Sequence, residues 1–400
     1  MIERKLLLGD EAIALGAIHA GISGVYAYPG TPSTEITEYI QGHAQEVRSR
    51  WCTNEKTAME AALGMSYAGK RALVCMKHVG MNVAADAFVN SAITGVNGGL
   101  VVLAADDPSM HSSQNEQDSR FYGKFAMIPI LEPSTQQEAY DMMKYAYALS
   151  EEKKLPVLLR VVTRLAHSRA GVVVNDLMPQ NALNPDKERT WVLLPAIARR
   201  QYASLVAKQP DLVESSEHSP YNGMNAFEGK AKLGVIACGI GYNYVMENDP
   251  QSLGIPVLKV SQYPLPEASI KALAAQCESL LVAEDGQPLV EEQVKAILGA
   301  DYALKGRLTG DLPRMGELTP DCVGAALGVN IEQPYTEAQN VMPRPPALCQ
   351  GCGHRDVYDA LNKVAAEYEG ARIFGDIGCY TLGALPPFRA IDSCVDMGAS

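Results

Sequence analysis

Short runs of hydrophobic residues alternate with helical patterns along the first 165 residues of the chain. In the helical stretches, apolar residues recur every three or four positions, as on the buried face of a helix. The β-prone runs lie at residues 25–28, 47–51, 72–76, 100–105, 127–131 and 157–162. Strands that alternate with helices predict an α/β fold built on a doubly wound, mostly parallel sheet.

Capping signals predict where two of these helices begin. Asp10 is a candidate cap for a helix that Gly21 would end. Ser134 and Gln137 have the spacing of a capping box and predict a second helix start.

The remaining sequence predicts four further segments. Residues 166–230 are irregular and suggest an extended connector with one helix near residues 196–208. A second α/β unit at 231–330 has strands predicted at 233–238, within 253–260 and at 279–283. A proline-rich linker at 331–346 then leads to a third unit at 347–400.

The segment from Val25 to Glu35 predicts a strand, a tight turn and a helix. The strand breaks at Pro29-Gly30, Thr31 is a good helix N-cap, and Pro32 suits the first helical position. Such a junction lies at the carboxyl end of a strand, where α/β sheets bind ligands. An ordinary β–α connection is the alternative.

Three later features are further candidates for chemistry. Glu55 opens a helix, where the helix dipole alone would favour a glutamate. His78 follows the strand at 72–76 and could move a proton or simply bond a loop carbonyl. The long polar connection from Asp106 to Gly123 suggests a functional loop, with surface disorder as the alternative.

Cys349 and Cys352, with two residues between them, give the strongest metal-binding signal, because such a pair can hold an iron–sulfur cluster or a zinc ion. Cys379 is a candidate third ligand, and the fourth would be Cys394 or a residue after Ser400. Free buried thiols, or a zinc site that includes His354, remain alternatives.

Composition narrows the functional class. With 34 basic and 46 acidic residues the net charge is -12, which argues against a nucleic-acid or anionic-membrane surface. Nine scattered cysteines do not resemble a disulfide framework. The sequence shows no signal-peptide core and no apolar run of about 18 residues, so we expect a cytoplasmic protein with reduced thiols.

Three stretches carry a family resemblance. The segments Tyr28–Glu35 and Asn54–Gly64 resemble the pyrimidine-binding domain of thiamine-diphosphate enzymes. With Asp376–Gly383, they are the most specific parts of a resemblance to alpha subunits of the indolepyruvate branch of the 2-oxoacid:ferredoxin oxidoreductases. This resemblance covers nearly the whole chain. The resemblance implies a transketolase-like fold, with the pyrimidine-binding domain at 1–165, a transketolase C-terminal-like domain at 231–330, and the start of a diphosphate-binding domain at 347–400.

The resemblance also implies roles for individual residues. Glu55 would activate thiamine diphosphate through N1′ of its aminopyrimidine, Arg120 would pair with the substrate carboxylate, and His78 would assist proton movement. Thr31 would contact the substrate. The residues implied in cofactor binding are Pro29, Gly30, Thr31, Glu55, Asp376 and Gly378.

The expected activity is the oxidative decarboxylation of arylpyruvates such as indolepyruvate to aryl-acyl-CoA. The implied cofactors are thiamine diphosphate, Mg²⁺ and [4Fe-4S] clusters, with coenzyme A as co-substrate and a beta subunit and ferredoxin as partners. In this family the magnesium motif and most clusters would follow Ser400, so the resemblance implies a truncated chain. A different 2-oxoacid substrate such as pyruvate, or a non-catalytic scaffold, are the alternatives.

Overall fold

The computed structural model describes residues 3–184, 187, 189–331, 340, 342 and 345–395. The chain divides into two compact units, residues 1–331 and 332–400. The boundary coincides with the start of the predicted linker, most of which lies outside the described residues. None of the described helices has the length and apolar character needed to cross a membrane.

The first unit contains most of the secondary structure. Its described strands are β1 (Arg4–Leu8), β2 (Gly24–Ala27), β3 (Arg48–Trp51), β4 (Ala72–Lys77), β5 (Leu100–Asp106), β6 (Ile130–Leu131), β7 (Val157–Val162), β8 (Arg169–Val173), β9 (Gly223–Met224), β10 (Ala231–Cys238), β11 (Val257–Val260), β12 (Gln262–Tyr263), β13 (Cys277–Ala283) and β14 (Ala303–Lys305). Its described helices are α1 (Gly9–His19), α2 (Thr34–His43), α3 (Glu55–Tyr67), α4 (His78–Thr94), α5 (Arg120–Ala126), α6 (Gln136–Lys153), α7 (Thr163–Ala166), α8 (Pro195–Ala207), α9 (Gln209–Glu217), α10 (Gly241–Met246), α11 (Glu267–Gln276), α12 (Leu289–Leu298) and α13 (Pro320–Leu327). Two short 3₁₀ turns lie at Pro108–Met110 and Arg189–Trp191.

The larger sheet has seven strands among the described residues, in the order β12-β6-β7-β5-β4-β2-β3. All neighbours are parallel except β12, which runs antiparallel to β6. Strands β4, β5 and β7 are buried along their whole length. Apart from one charged residue in each, these strands are apolar, which fits a parallel sheet whose two faces are both covered. The predicted doubly wound α/β fold is confirmed.

A second sheet has the described strand order β14-β13-β10-β11-β9, with β9 antiparallel to its neighbour. The two sheets correspond to the predicted segments 1–165 and 231–330, but both belong to one compact unit. Strand β12, from the second segment, extends the first sheet. The predicted helix near 196–208 corresponds to α8, whereas α9 and the antiparallel β1–β8 pair were not predicted.

Three predicted helix caps are wrong. Helix α1 begins at Gly9, so Asp10 lies inside its first turn, and the carboxylate of Glu11 accepts a hydrogen bond from the Leu8 N–H. Thr135 rather than Ser134 caps α6, because its hydroxyl accepts from the Glu138 N–H. Helix α2 begins at Thr34, beyond Thr31.

The second unit is small. Its described elements are α14 (Gly353–Ala365), β15 (Phe374–Gly375), β16 (Ser393–Cys394) and a 3₁₀ turn at Cys379–Ala384. Strands β15 and β16 pair in parallel. A compact apolar cluster is formed by Leu348, Tyr358, Phe388 and Ala390.

Candidate active site

The carboxyl ends of four strands meet along one edge of the seven-stranded sheet. Strands β2, β4, β5 and β7 are parallel neighbours, so the segments that follow them lie side by side. A hydrogen bond of 2.8 Å from the Thr163 hydroxyl to the Asp107 carboxylate joins two of these segments. Residues from all four predicted candidate regions of the first unit lie on or next to this edge.

The turn after β2 is closed at Gly30. The N–H and the hydroxyl of Ser33 both donate to the Gly30 carbonyl at 2.9 Å, and the Gly30 N–H donates to the Thr34 hydroxyl at 3.0 Å. A Cβ at Gly30 would lie 3.3 Å from the Lys77 side chain, so glycine allows this close approach. Pro29 and Thr31 are exposed, and Thr31 is not needed as a helix cap.

Glu55 is the first residue of α3, and its side chain is fully buried. Asn54 caps this helix by accepting a hydrogen bond from the Thr57 N–H at 3.0 Å. The carboxylate lies against Gly80 in the first turn of α4, where an added Cβ would come within 2.5 Å of Glu55 Oε1. Glycine at position 80 therefore makes room for the Glu55 carboxylate at the sheet edge.

Lys77 is a site residue that the sequence interpretation missed. Its side chain is buried, and its ammonium donates to the Ser112 carbonyl at 3.1 Å. Burial lowers the pKa of Lys77, while the carboxylates of Asp107 and Glu55 act in the opposite direction. A lysine at the end of an otherwise apolar, buried strand was the available signal.

His78 opens α4 and is fully buried. Its Nε2 lies 3.1 Å from the Asn115 carbonyl oxygen, which is the loop contact considered as the alternative role. Among the described residues, Nδ1 has no hydrogen-bond partner. The proton-transfer role of His78 remains a prediction.

The long connection after β5 is ordered around Asp107. The carboxylate accepts hydrogen bonds from the Ser112 N–H at 2.8 Å and the Ser113 hydroxyl at 2.6 Å. Although burial acts to raise the pKa of Asp107, these hydrogen bonds lower it overall. These contacts hold the loop after β5 against the sheet edge where Lys77 and His78 lie. The loop is therefore ordered, in contrast to the alternative prediction of surface disorder.

Arg120 lies in a different environment from the one predicted. Its guanidinium is fully buried, with Asp118 at 2.9 Å from Nε, Glu284 at 2.9 Å from Nη2, and the Gln287 carbonyl at 3.0 Å. Tyr263 and Glu132 contact its other terminal nitrogen. Because these donors are used inside the protein, this arrangement does not offer Arg120 to a substrate carboxylate.

Arg120 is part of a larger buried cluster, which we call the arginine network. Arg160 bonds Asp106 at 2.7 Å and contacts Glu132, and Arg307 contacts Asp285 at 3.3 Å. Its members are Asp106, Asp118, Arg120, Glu132, Arg160, Glu284, Asp285 and Arg307. The network joins residues that lie in or directly after strands of the two sheets, so it links the two sheets of the first unit.

In the second unit, Asp376 and Gly378 lie in the turn after β15. The Asp376 carboxylate accepts from the Ile377 N–H at 2.7 Å, and Gly378 has φ 137°, a backbone conformation that favours glycine. The Cys394 thiol donates to the Asp376 carbonyl at 2.7 Å. Their cofactor role remains a prediction.

The cysteine site is only partly assembled in the described residues. Cys349 and Cys379 are exposed, and the Cys352 sulfur lies 3.2 Å from His354 Nδ1. A single zinc ion would need at least three ligand atoms close together. Among the described residues, neither Cys352 and His354 with a third ligand nor the three cysteines bring three ligand atoms within 4.8 Å of one another. An iron–sulfur cluster spaces its cysteines more widely, so that prediction is not tested.

Comparison with known proteins identifies the family of this chain. Residues 15–210 match the family described as pyruvate flavodoxin/ferredoxin oxidoreductase, thiamine diP-bdg. Indolepyruvate oxidoreductase subunit IorA from Archaeoglobus fulgidus is 41% identical over 100% of this chain and 67% of its own length. IorA from Pyrococcus abyssi is also 41% identical, over 100% of this chain and 65% of its own length. The chain thus spans about two thirds of the length of these relatives.

More distant relatives extend the comparison. The 2-oxoglutarate synthase subunit KorA from Methanocaldococcus jannaschii is 26% identical over 43% of this chain and 49% of its own length. A 2-oxoglutarate:ferredoxin oxidoreductase structure from Magnetococcus marinus has a TM-score of 0.68 at 16% identity, covering 82% of this chain and 65% of that chain. A split-gene transketolase has a TM-score of 0.51 at 15% identity, covering 80% and 95%. These two structures support the fold.

The whole chain aligns with IorA at about 40% identity, and its fold and thiamine-diphosphate-binding region agree with that alignment. The chain therefore belongs to the family of indolepyruvate oxidoreductase subunit IorA, a family of oxidoreductase subunits.

Proposed function

We propose that this chain is the alpha subunit of an enzyme that oxidatively decarboxylates arylpyruvates such as indolepyruvate to aryl-acyl-CoA. The observation that carries the proposal is the 41% identity to IorA along the entire chain. In the overall reaction, a 2-oxoacid and coenzyme A give acyl-CoA, CO₂ and a proton. Two electrons pass to two molecules of ferredoxin.

The geometry at Glu55 fits thiamine diphosphate. When bound, this cofactor supplies the carbanion that adds to the 2-oxo carbon of the substrate. The cofactor's aminopyrimidine needs a carboxyl group at N1′ in a pocket with little water. Glu55 is fully buried at the sheet edge, and Gly80 leaves the space that its carboxyl occupies. We assign Glu55 to hold the proton at N1′.

The other residues at the edge position the reactants. Pro29, Gly30 and Thr31 form an exposed turn beside Lys77, and we assign Thr31 to contact the substrate. His78 would assist proton movement through Nδ1, because its Nε2 is already at the Asn115 carbonyl. Arg120 has no substrate role in this proposal.

The remaining cofactors and partners follow from the family. Asp376 and Gly378 would contribute to binding the diphosphate and Mg²⁺, and Cys349, Cys352 and Cys379 would contribute ligands to a [4Fe-4S] cluster. A beta subunit would complete the enzyme, ferredoxin would accept the electrons, and the complex would work in the cytoplasm. The name of the relatives as a subunit supports a partner chain.

A different 2-oxoacid is the second candidate substrate. The similarity to KorA, which covers 43–44% of this chain, favours this alternative. The two candidates share the thiamine chemistry at Glu55 and differ only in the substrate side chain, so a substrate comparison separates them.

The test is anaerobic reduction of a viologen dye by the complex of this subunit, in its complete form, with its beta partner. Indolepyruvate, pyruvate and 2-oxoglutarate would each be assayed with coenzyme A, thiamine diphosphate and Mg²⁺. We expect the highest kcat/KM with indolepyruvate. A preference for 2-oxoglutarate or pyruvate would favour the second candidate, and no reduction with any 2-oxoacid would support a non-catalytic scaffold.

A further inference from the structure

Three residues from separate segments of the first unit bring possible metal ligands together. Asp10 lies in the first turn of α1, Glu35 in the first turn of α2, and His167 directly after α7. His167 Nε2 is 3.9 Å from Asp10 Oδ2 and 3.7 Å from Glu35 Oε1. One ligand atom from each lies within 4.8 Å of the other two. We call these residues the Asp10 cluster.

The Asp10 carboxylate is the unusual member of this cluster. It is fully buried, and neither of its oxygens has a hydrogen-bond partner among the described residues. Burial raises the pKa of Asp10 well above its ordinary value, and the negative charge of Glu35 adds to this effect. A buried carboxylate without hydrogen bonds is costly unless another group compensates it.

The distances suit a single cation. Nitrogen and oxygen ligands lie about 2.0–2.2 Å from a bound zinc ion, so two ligands of one ion are up to about 4.4 Å apart. The two distances from His167 Nε2 fall inside this limit. One imidazole and two carboxylates form a donor set for a first-row transition metal, whereas Mg²⁺ and Ca²⁺ prefer oxygen ligands alone.

We propose that Asp10, Glu35 and His167 bind one divalent transition metal ion, such as Mn²⁺ or Zn²⁺. The side chains of His167 and Glu35 are 34% and 39% exposed, so an ion can enter from solvent while Asp10 forms the floor of the site. Three protein ligands leave further coordination positions for water.

The bound ion would have a structural consequence for the candidate active site. Glu35 follows Thr34, whose hydroxyl accepts a hydrogen bond from the Gly30 N–H in the turn after β2. An ion held by Glu35, Asp10 and His167 would thus fix the start of α2 to α1 and to the segment after β7. The site is independent of thiamine diphosphate, because it contains none of the residues assigned to that cofactor.

The alternative is an internal ion pair without a metal. The ion-pair contact with Glu35 raises the pKa of His167, and the same contact lowers the pKa of Glu35. A protonated His167 could therefore neutralise Glu35 by itself. This alternative leaves Asp10 without a hydrogen bond, and it predicts no specific metal binding.

The test is a titration of the purified chain with Mn²⁺, in which electron paramagnetic resonance measures the free ion. The titration is made without thiamine diphosphate, and Mn²⁺ avoids the preference of zinc for thiols. We expect the wild type to bind one Mn²⁺ ion. Asp10→Asn and His167→Gln should bind it at least about tenfold more weakly, because even the loss of a residue that only supports a metal ligand lowers metal affinity by about 10–100-fold. At a Mn²⁺ concentration near the wild-type Kd, Mn²⁺ should also raise the Tm of the wild type more than that of either variant.

Glu38→Gln is the matched control, because Glu38 is an exposed glutamate on the same helix as Glu35. It should bind Mn²⁺ like the wild type. His167→Gln alters a partly exposed side chain, so it decides the question if Asp10→Asn does not fold. Equal Mn²⁺ binding by the wild type and His167→Gln, or no tight site in the wild type, would overturn the proposal.

Discussion

The arginine network and the Asp10 cluster both bury carboxylates, but they satisfy them differently. In the network, Glu284 receives hydrogen bonds from the Val290 and Glu291 N–H groups and lies 2.9 Å from Arg120. In the cluster, Asp10 has no hydrogen-bond partner among the described residues, and its Oδ2 lies 3.9 Å from His167 Nε2. The network therefore compensates its buried charges within the chain, whereas the proposed metal ion would compensate Asp10 from outside it.

The strongest test of this comparison removes an arginine from the network. Arg160→Met would remove the buried arginine that pairs with Asp106 and Glu132, and we expect the free energy of unfolding to fall by about 3–5 kcal/mol. Denaturant unfolding measures the loss.

Arg164→Met is the matched control for this variant. The Arg164 side chain is 53% exposed and pairs with Glu317, so we expect a loss of less than about 1 kcal/mol. Similar small losses for both variants would show that the network contributes little to architecture.

The next test uses the pH dependence of the network. Burial raises the pKa of Glu284 to about 7 from an ordinary value of 4.5, although Arg120 opposes the shift. Because the folded state binds the proton more tightly, the resulting stabilisation is complete below pH 4.5 and is lost as pH rises through about 7.

We therefore expect the wild type to gain about 2–3 kcal/mol relative to Glu284→Gln between pH 8 and pH 5. Denaturant unfolding at both pH values measures this difference. A difference between the two proteins that does not change with pH would mean that Glu284 does not titrate in this range.

The smallest expected effect concerns the Asp10 cluster without metal. In EDTA at pH 7.5, Asp10→Asn removes a buried carboxyl group that has no described hydrogen bond and whose ionised form burial disfavours, so the free energy of unfolding should rise by about 1 kcal/mol. Thermal unfolding measures the change, with Glu38→Gln expected to match the wild type. A less stable Asp10→Asn would mean that the carboxylate already has a favourable partner.

Local sequence patterns were enough to predict the central strands of the fold. Strands β4, β5 and β7 are mostly apolar and buried, and each was predicted within about one residue of its observed bounds. The β1–β8 pair was missed because its antiparallel partners are far apart in sequence. Helix caps were misplaced where adjacent serine and threonine residues compete, as at Ser134 and Thr135.

The candidate site shows the same division between local and long-range information. Glu55 and Thr31 lie in short motifs, so the sequence could place them at the strand edge. Gly80 lies against Glu55, and Lys77 lies against Gly30. The sequence could not predict these contacts, because the partners are brought together only by folding. The environment of Arg120 depends on Glu284 and Gln287, distant residues that no local pattern links to it.

The proposed function depends most on the buried carboxyl of Glu55, which would activate thiamine diphosphate. The most direct measurement is the rate of 2-oxoacid-dependent viologen reduction by the complete complex carrying Glu55→Gln, compared with Glu60→Gln, an exposed change on the same helix. We expect Glu55→Gln to lower kcat by about 10²–10⁴-fold with normal folding by circular dichroism, and Glu60→Gln to leave it unchanged. A Glu55→Gln complex with the wild-type rate would contradict the account.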